Sequence, residues 1–95
     1  MSVLYVVEPG AYVSRRGEQL VVEKDNATLL EVELPGLASA VILSSVQVTT
    51  QALCAILRAG AELAIVTARG DLLGQLTPPT ARNVAIRMAQ YRRET

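Results

Sequence analysis

Residues 3–7, VLYVV, form an unbroken apolar run that ends at Pro9-Gly10, and from there to residue 43 short apolar stretches alternate with turn-forming residues. That rhythm predicts a series of short strands, the pattern of an antiparallel meander or sandwich rather than of βαβ units. The next two strands, 11–15 and 19–24, flank Arg16-Gly17, a hairpin turn where glycine can supply a positive φ. Asp25-Asn26 makes the following turn, since both residue types tolerate left-handed backbone and bond to their own main chain. In residues 29–34, LLEVEL, strict alternation places Leu30, Val32 and Leu34 on one side and Glu31 and Glu33 on the other. Such a strand has one wet face. After Pro35-Gly36, residues 40–43, AVIL, do not alternate, which predicts a central strand covered on both faces.

The period then changes from 2 to 3.6. Thr49 or Thr50 can cap a helix whose apolar residues Leu53, Ile56 and Leu57 recur at helical spacing beside Ala52, and Gly60 is placed to end it. Residues 63–66, LAIV, predict another buried strand, and Arg69-Gly70-Asp71 turns the chain into a last strand at Leu72–Leu76, punctuated by Pro78-Pro79. From Thr80 the pattern predicts a second helix. At about 100° per residue, Arg82, Asn83, Arg87, Gln90 and Arg93 fall within one arc of roughly 140°, while Val84, Met88 and Tyr91 fall on the other side. Ile86 interrupts the polar arc, a sign that this helix packs against something else, and YRRET ends the chain as if in the course of a helix. The expected fold is therefore mainly β, of the α+β class. It is a small antiparallel β-sandwich-like domain over residues 1–79 with one short internal helix, followed by a C-terminal helix at 80–95.

Composition narrows the function classes. The 95 residues suit one domain, and with no Phe or Trp the core must be built from Val, Leu, Ile and Ala. Cys54 is the single cysteine and histidine is absent, which excludes an internal disulfide and the common zinc arrangements. The start, MSVLYVVEPG, lacks the basic region and cleavage site of a signal peptide, and no apolar run reaches the ~18 residues of a membrane span, so a cytoplasmic protein with no membrane partner is expected. Net charge is zero but unevenly spread. Residues 1–57 sum to −3, and residues 58–95 sum to +3 through Arg58, Arg69, Arg82, Arg87, Arg92 and Arg93. All six late cations are arginine, the residue suited to planar contact with phosphate or carboxylate, so any polyanion contact belongs to the second half. A solvated helix face with ordinary ion pairs accounts for the same residues.

The usual catalytic constellations are missing. General acid-base chemistry near neutral pH most often uses histidine, and metal sites need converging carboxylates or imidazoles. Here Asp25 and Asp71 fall in turns and Glu31 and Glu33 point outward from one strand. Cys54, with no histidine partner, reads as a small buried hydrophobe. Gly70 and Gly74 in ARGDLLGQL fit neither the Walker nor the Rossmann spacing, and a hairpin turn explains them. What remains is RNVAIRMAQYRR, whose arginine and amide side chains on one helix face can bond phosphates without reading sequence.

In four segments the chain resembles the N-terminal region of the CRISPR-associated DNA integrase family Cas-one. LYVVEPGAYVSRRGEQLVVEK is similar to the family's first strands and hairpin, and VQVTTQALCAILRAGAELAIV to its helix and following strand. ARGDLLGQL is similar to its glycine-flanked hairpin, and ARNVAIRMAQY to the R-N-x-x-x-R-x-x-Q-Y stretch that leads into the helical domain. The resemblance implies a β-rich N-terminal domain joined to an α-helical domain that carries a Glu, His and Asp site for magnesium or manganese and performs DNA cleavage and strand transfer. None of those catalytic positions falls within the 95 residues, so this chain alone is not expected to be catalytic. It further implies a homodimer joined through the N-terminal domains, assembly with the Cas-two protein, double-stranded DNA as partner, and insertion of new spacers in antiviral defence. Arg82, Asn83, Arg87, Gln90 and Tyr91 fall on the family pattern. Arg82 and Arg87, with Arg69 at the hairpin, are the candidate DNA contacts; Asn83, Gln90 and Tyr91 position DNA or pack the interdomain joint, a role equally open to the arginines. The alternative is a free-standing protein-interaction β-module with no nucleic-acid role.

Overall fold

The computed structural model describes residues 2–79. The predicted second helix, with Arg82, Asn83, Arg87, Gln90 and Tyr91, lies outside the described residues. Eight strands and one helix follow in the order β1 (Ser2–Val6), β2 (Tyr12–Arg16), β3 (Gln19–Lys24), β4 (Ala27–Glu33), β5 (Leu37–Leu43), β6 (Gln47–Val48), α1 (Thr50–Arg58), β7 (Glu62–Val66) and β8 (Leu72–Leu76). They build two four-stranded sheets, one ordered β1-β5-β7-β8 and the other β4-β3-β2-β6. The mainly β reading with one internal helix holds.

The sheets are mixed rather than antiparallel. The β2–β3 and β3–β4 pairs form the expected meander, and β7–β8 is an antiparallel hairpin. However, β1 runs parallel to β5, β5 parallel to β7, and β6 parallel to β2. The segment β5-α1-β7 is thus a βαβ unit, which the strand pattern had argued against. Helix α1 carries the chain back along the sheet, so the next strand enters in the same direction. Hydrophobic spacing along a strand says which face is buried and nothing about which strand lies beside it. The two-residue β6 left no sequence signal; it is held by Gln47 N–H to Ala11 O and Thr49 N–H to Val13 O, both at 3.0 Å.

Turn chemistry follows the sequence closely. Asp25 and Asn26 both take positive φ, 54° and 65°, as a two-residue β3–β4 hairpin of the mirror-image type requires. Helix α1 begins at Thr49, whose side-chain oxygen accepts from Ala52 N–H at 3.1 Å. It ends in a Schellman arrangement: Gly60 has φ 84°, its N–H donates to Leu57 O, and Ala61 N–H donates to Ile56 O.

One cluster of buried side chains joins both sheets and the helix. Leu4, Val6, Ala40, Ile42 and Leu63 come from the first sheet, Val13, Leu20 and Val22 from the second, and Ala52, Ala55 and Ile56 from α1. The buried stripe of α1 therefore runs through Ala52, Ala55 and Ile56, with Leu53 and Leu57 only half buried. Cys54 is exposed, which corrects its reading as a buried residue. At 100° per residue it lies about 160° around the helix from Ile56, on the side away from the sheets.

Two further corrections concern the strands. Leu34 is buried and Val32 half buried as the alternation predicts, but Leu30 is 45% exposed. A register shift in the β3–β4 pair leaves Leu29 without a partner between Thr28 and Leu30. Strand β4 is also at the edge of its sheet, and its residues 27–31 are all exposed. Strand β5 is central as expected, yet Val41 is only half buried, because the outer face of its sheet carries no covering layer among the described residues.

Candidate functional site

The β7–β8 turn holds Arg69 in a defined loop. Thr67 Oγ1 accepts from the N–H groups of Arg69 and Asp71 at 3.2 and 3.1 Å, and Gly70 N–H donates to Thr67 O at 2.9 Å. Thr67 N–H closes the turn onto Asp71 O at 2.8 Å, and Gly70 takes φ 96°, a conformation that disfavours any side chain. Arg69 is exposed at the tip. Among the described residues a single ion pair forms, Lys24 Nζ to Glu8 Oε2 at 2.9 Å, and Arg69 takes no part in it. Of the predicted contact residues only Arg69 falls within residues 2–79, so the described structure brings none of the others beside it.

A second cationic feature escaped the sequence reading. Arg15 and Arg58 line an open cleft of about 300 Å³ with Glu18, Leu34 and Pro35 at the C-terminal end of α1. Arg15 Nε donates to Gly17 O at 2.8 Å, which fixes its guanidinium at the hairpin. The two arginines are far apart in the sequence and no spacing rule links them. No group of three or more His, Cys, Asp or Glu side chains that could hold a metal ion occurs among the described residues. The magnesium or manganese implied by the family resemblance therefore has no donor set among the described residues.

A further surface feature is apolar. On β1, Leu4 and Val6 face the core while Val3 and Tyr5 face outward, 48% and 64% exposed. Register continues this outer face across the sheet: Tyr5 pairs with Val41, Val41 with Ala64, and Ala64 with Gln75. The same outer face carries Ser39 and Glu62 in register with Val3, so its apolar part comprises Val3, Tyr5, Val41 and Ala64. The apolar surface also turns the corner at the β1 edge, where Tyr5, Val7, Leu29 and Leu30 line a groove of about 290 Å³ toward β4. The LYVV run signalled an apolar strand; it could not show that half of it faces outward. No helix among the described residues is long and apolar enough to cross a membrane.

Comparison with known proteins places these features in a family. The family model for CRISPR associated protein Cas1 matches residues 4–95. A CRISPR-associated exonuclease Cas4/endonuclease Cas1 fusion from Geobacter sulfurreducens is 31% identical over 90 residues, covering 95% of this chain and 16% of that protein. In architecture, the chain is similar to a Cas1 protein from Thermotoga maritima, with TM-score 0.74 at 12% identity over 88% of this chain and 28% of that one. The protein of a TtCas1–DNA complex gives TM-score 0.73 at 21% identity, with 90% of this chain and 31% of that one covered. These identities show a shared fold, and the chain spans about a sixth of the curated relative's length and under a third of either solved chain. With two sheets and one helix arranged as in those structures and a family match that runs from residue 4 to residue 95, the chain belongs to the CRISPR-associated Cas1 family.

Proposed function

We propose that this chain is the dimerisation and DNA-positioning β-domain of a CRISPR adaptation integrase, a cytoplasmic metal-dependent DNA endonuclease that inserts new spacers in antiviral defence. The match to the Cas1 family over residues 4–95 carries the reading. Solved structures that share the fold include a Cas1 protein bound to DNA and a Cas6-RT-Cas1–Cas2 complex, which supports DNA and Cas2 as partners of the parent protein. In this reading the catalysis belongs to a helical domain outside the 95 residues, and magnesium or manganese serves there.

The apolar outer face of the β1-β5-β7-β8 sheet supports the dimer. It offers Val3, Tyr5 and Val41 to a second copy, and burying them removes apolar area from water. The arginines support DNA contact. Arg69 is exposed at its hairpin tip, and Arg82 and Arg87 continue the same cationic half of the sequence.

Salt separates this reading from a purely protein-binding module. Three phosphate contacts give a binding constant that falls by about 40-fold between 50 and 200 mM salt, from a log–log slope of ~−0.9 per phosphate. Apolar docking barely responds to the same change. The test is a mobility-shift titration of double-stranded DNA at both salt concentrations, with light scattering for the dimer. Dimerisation without DNA binding at the lower concentration overturns the DNA role and leaves the interaction module.

A further inference from the structure

The cleft shared by Arg15 and Arg58 is framed by three segments whose backbones are each pinned. The β2–β3 hairpin supplies Arg15 and Glu18; Gly17 takes φ 62° at its tip, and Leu34 N–H donates to Glu18 O at 2.9 Å. The β4–β5 turn supplies Leu34 and Pro35. It is closed by Leu37 N–H to Leu34 O at 3.1 Å with Gly36 at φ 91°, the pattern of a type II turn with proline leading. The last turn of α1 supplies Ala55 and Arg58, just ahead of the Gly60 stop. A cleft with walls fixed in this way exists before anything enters it, so little ordering is left for an occupant to impose.

The charges of the cleft are not settled internally. Two guanidinium groups and the Glu18 carboxylate line the same space, yet among the described residues none of the three enters an ion pair. Arg15 Nε is committed to Gly17 O, and its Nη groups donate no hydrogen bond among the described residues, which leaves them as a held fork for a planar anion. Two arginines against one glutamate give the lining a charge of +1, and the carbonyl end of α1 reduces its pull on an anion further. Stripping water from an anion becomes costlier faster than its attraction to a fixed site grows, so a cleft of small net charge favours a single carboxylate. A nucleic-acid backbone would bring successive phosphates against Glu18 and would leave the aliphatic walls of Leu34, Pro35 and Ala55 unused. A peptide brings one carboxylate with hydrocarbon beside it.

We propose that this cleft is a docking site for an acidic segment of a protein partner, which places a carboxylate between Arg15 and Arg58 and an aliphatic neighbour on Leu34 and Pro35. The charge complementarity is specific in sign: Arg15 and Arg58 attract the segment, and Glu18 limits how much negative charge it can bring. Arg69 is not part of the lining, so the site recruits a protein through residues other than the candidate DNA contacts. The inference goes beyond the DNA reading and stands or falls without it.

The test uses the 95-residue chain and a fluorescein-labelled peptide that alternates leucine with aspartate, with asparagine replacing aspartate in the control peptide. Fluorescence polarisation at low salt should show the aspartate peptide binding about ten-fold more tightly than the control. Arg15→Gln and Arg58→Gln should each weaken it by about ten-fold, Glu18→Gln should tighten it several-fold, and Arg69→Gln should leave it unchanged. The gain from Glu18→Gln is the mark of a charge site, since damage to packing cannot produce it. Far-UV circular dichroism of every variant should match that of the unsubstituted chain. Equal affinity for the two peptides, indifference to both Arg15→Gln and Arg58→Gln, or no binding up to about 1 mM peptide each overturn the proposal. So does a mobility shift of double-stranded DNA that Arg15→Gln and Arg58→Gln abolish while the aspartate peptide stays unbound, which assigns the cleft to phosphate. Peptide binding with the expected pattern upholds the site whether or not the chain binds DNA.

Discussion

Replacing Ile56 by alanine tests the placement of α1 most directly. Ile56 is fully buried, at 0% exposure, and sits where the helix meets both sheets. The substitution removes three carbons from the core. At ~0.8 kcal/mol per buried carbon the transfer loss is about 2.4 kcal/mol. Incomplete collapse around the void adds to this, within an overall range of about 2–5 kcal/mol for such changes. A chain of this size has a total stability of roughly 5–14 kcal/mol, so the variant should lose a large fraction of it. With an m value of roughly 1 kcal/mol/M, urea unfolding followed by far-UV circular dichroism should show the midpoint fall by about 3 M. The control is Cys54→Ala, two positions away on the exposed side of the same helix, where the change should stay within ~0.5 kcal/mol. In the native unsubstituted chain the Cys54 thiol should react with a disulfide reagent as readily as it does in urea, after allowance for intrinsic reactivity. A protected thiol, or a Cys54→Ala loss that matches Ile56→Ala, would refute the helix orientation and with it the account of the core.

Thr49→Ala removes the side-chain acceptor for Ala52 N–H and should cost about 1 kcal/mol, read as a drop in thermal midpoint of a few degrees. Gly60→Ala forces a β-carbon into positive φ at the end of α1; there is open space around it, so the expected loss of about 1 kcal/mol comes from backbone strain alone and is measured by the same melt. Glu8→Gln breaks the exposed pair with Lys24 and should change stability by no more than ~0.5 kcal/mol, with any effect vanishing in high salt. Arg69→Ala should weaken DNA binding and lower the salt slope by about one, without altering the melt.

Local chemistry made much of this fold readable. The hairpin at Gly17, the Asp25-Asn26 turn, the Thr49 cap, the Gly60 stop and the strand at Leu72–Leu76 were all legible because each depends on residues within a few positions of one another. What the sequence hid is non-local. Parallel pairing of β1 with β5 and of β5 with β7 is settled by which elements fill the space between, and the side-chain period is the same for either direction. Leu30 misled because alternation assumes an unbroken register, and the extra residue at Leu29 breaks it. Cys54 misled because a cysteine beside Leu53 looks apolar in sequence while the helical angle turns it outward. At the candidate site, Arg69 in its turn was legible from Gly70, whereas the Arg15–Arg58 cleft arises only when the β2–β3 hairpin meets the end of α1.

The pairing of β1 with β5 also sets an order of events in folding. Strands β2, β3 and β4 join through tight turns and can associate as soon as they exist, on the microsecond scale of hairpins. Strand β1 has no such local partner: Ser2 pairs with Leu37 and Val6 with Ile42, so it must wait until the whole meander and β5 have been made. On a ribosome β1 is thus made well before the strand it pairs with, and until β5 emerges the VLYVV run is open to other chains. A late refolding phase slowed by Leu4→Ala in β1, beside an earlier phase slowed by Val22→Ala in β3, would be the kinetic mark of that order.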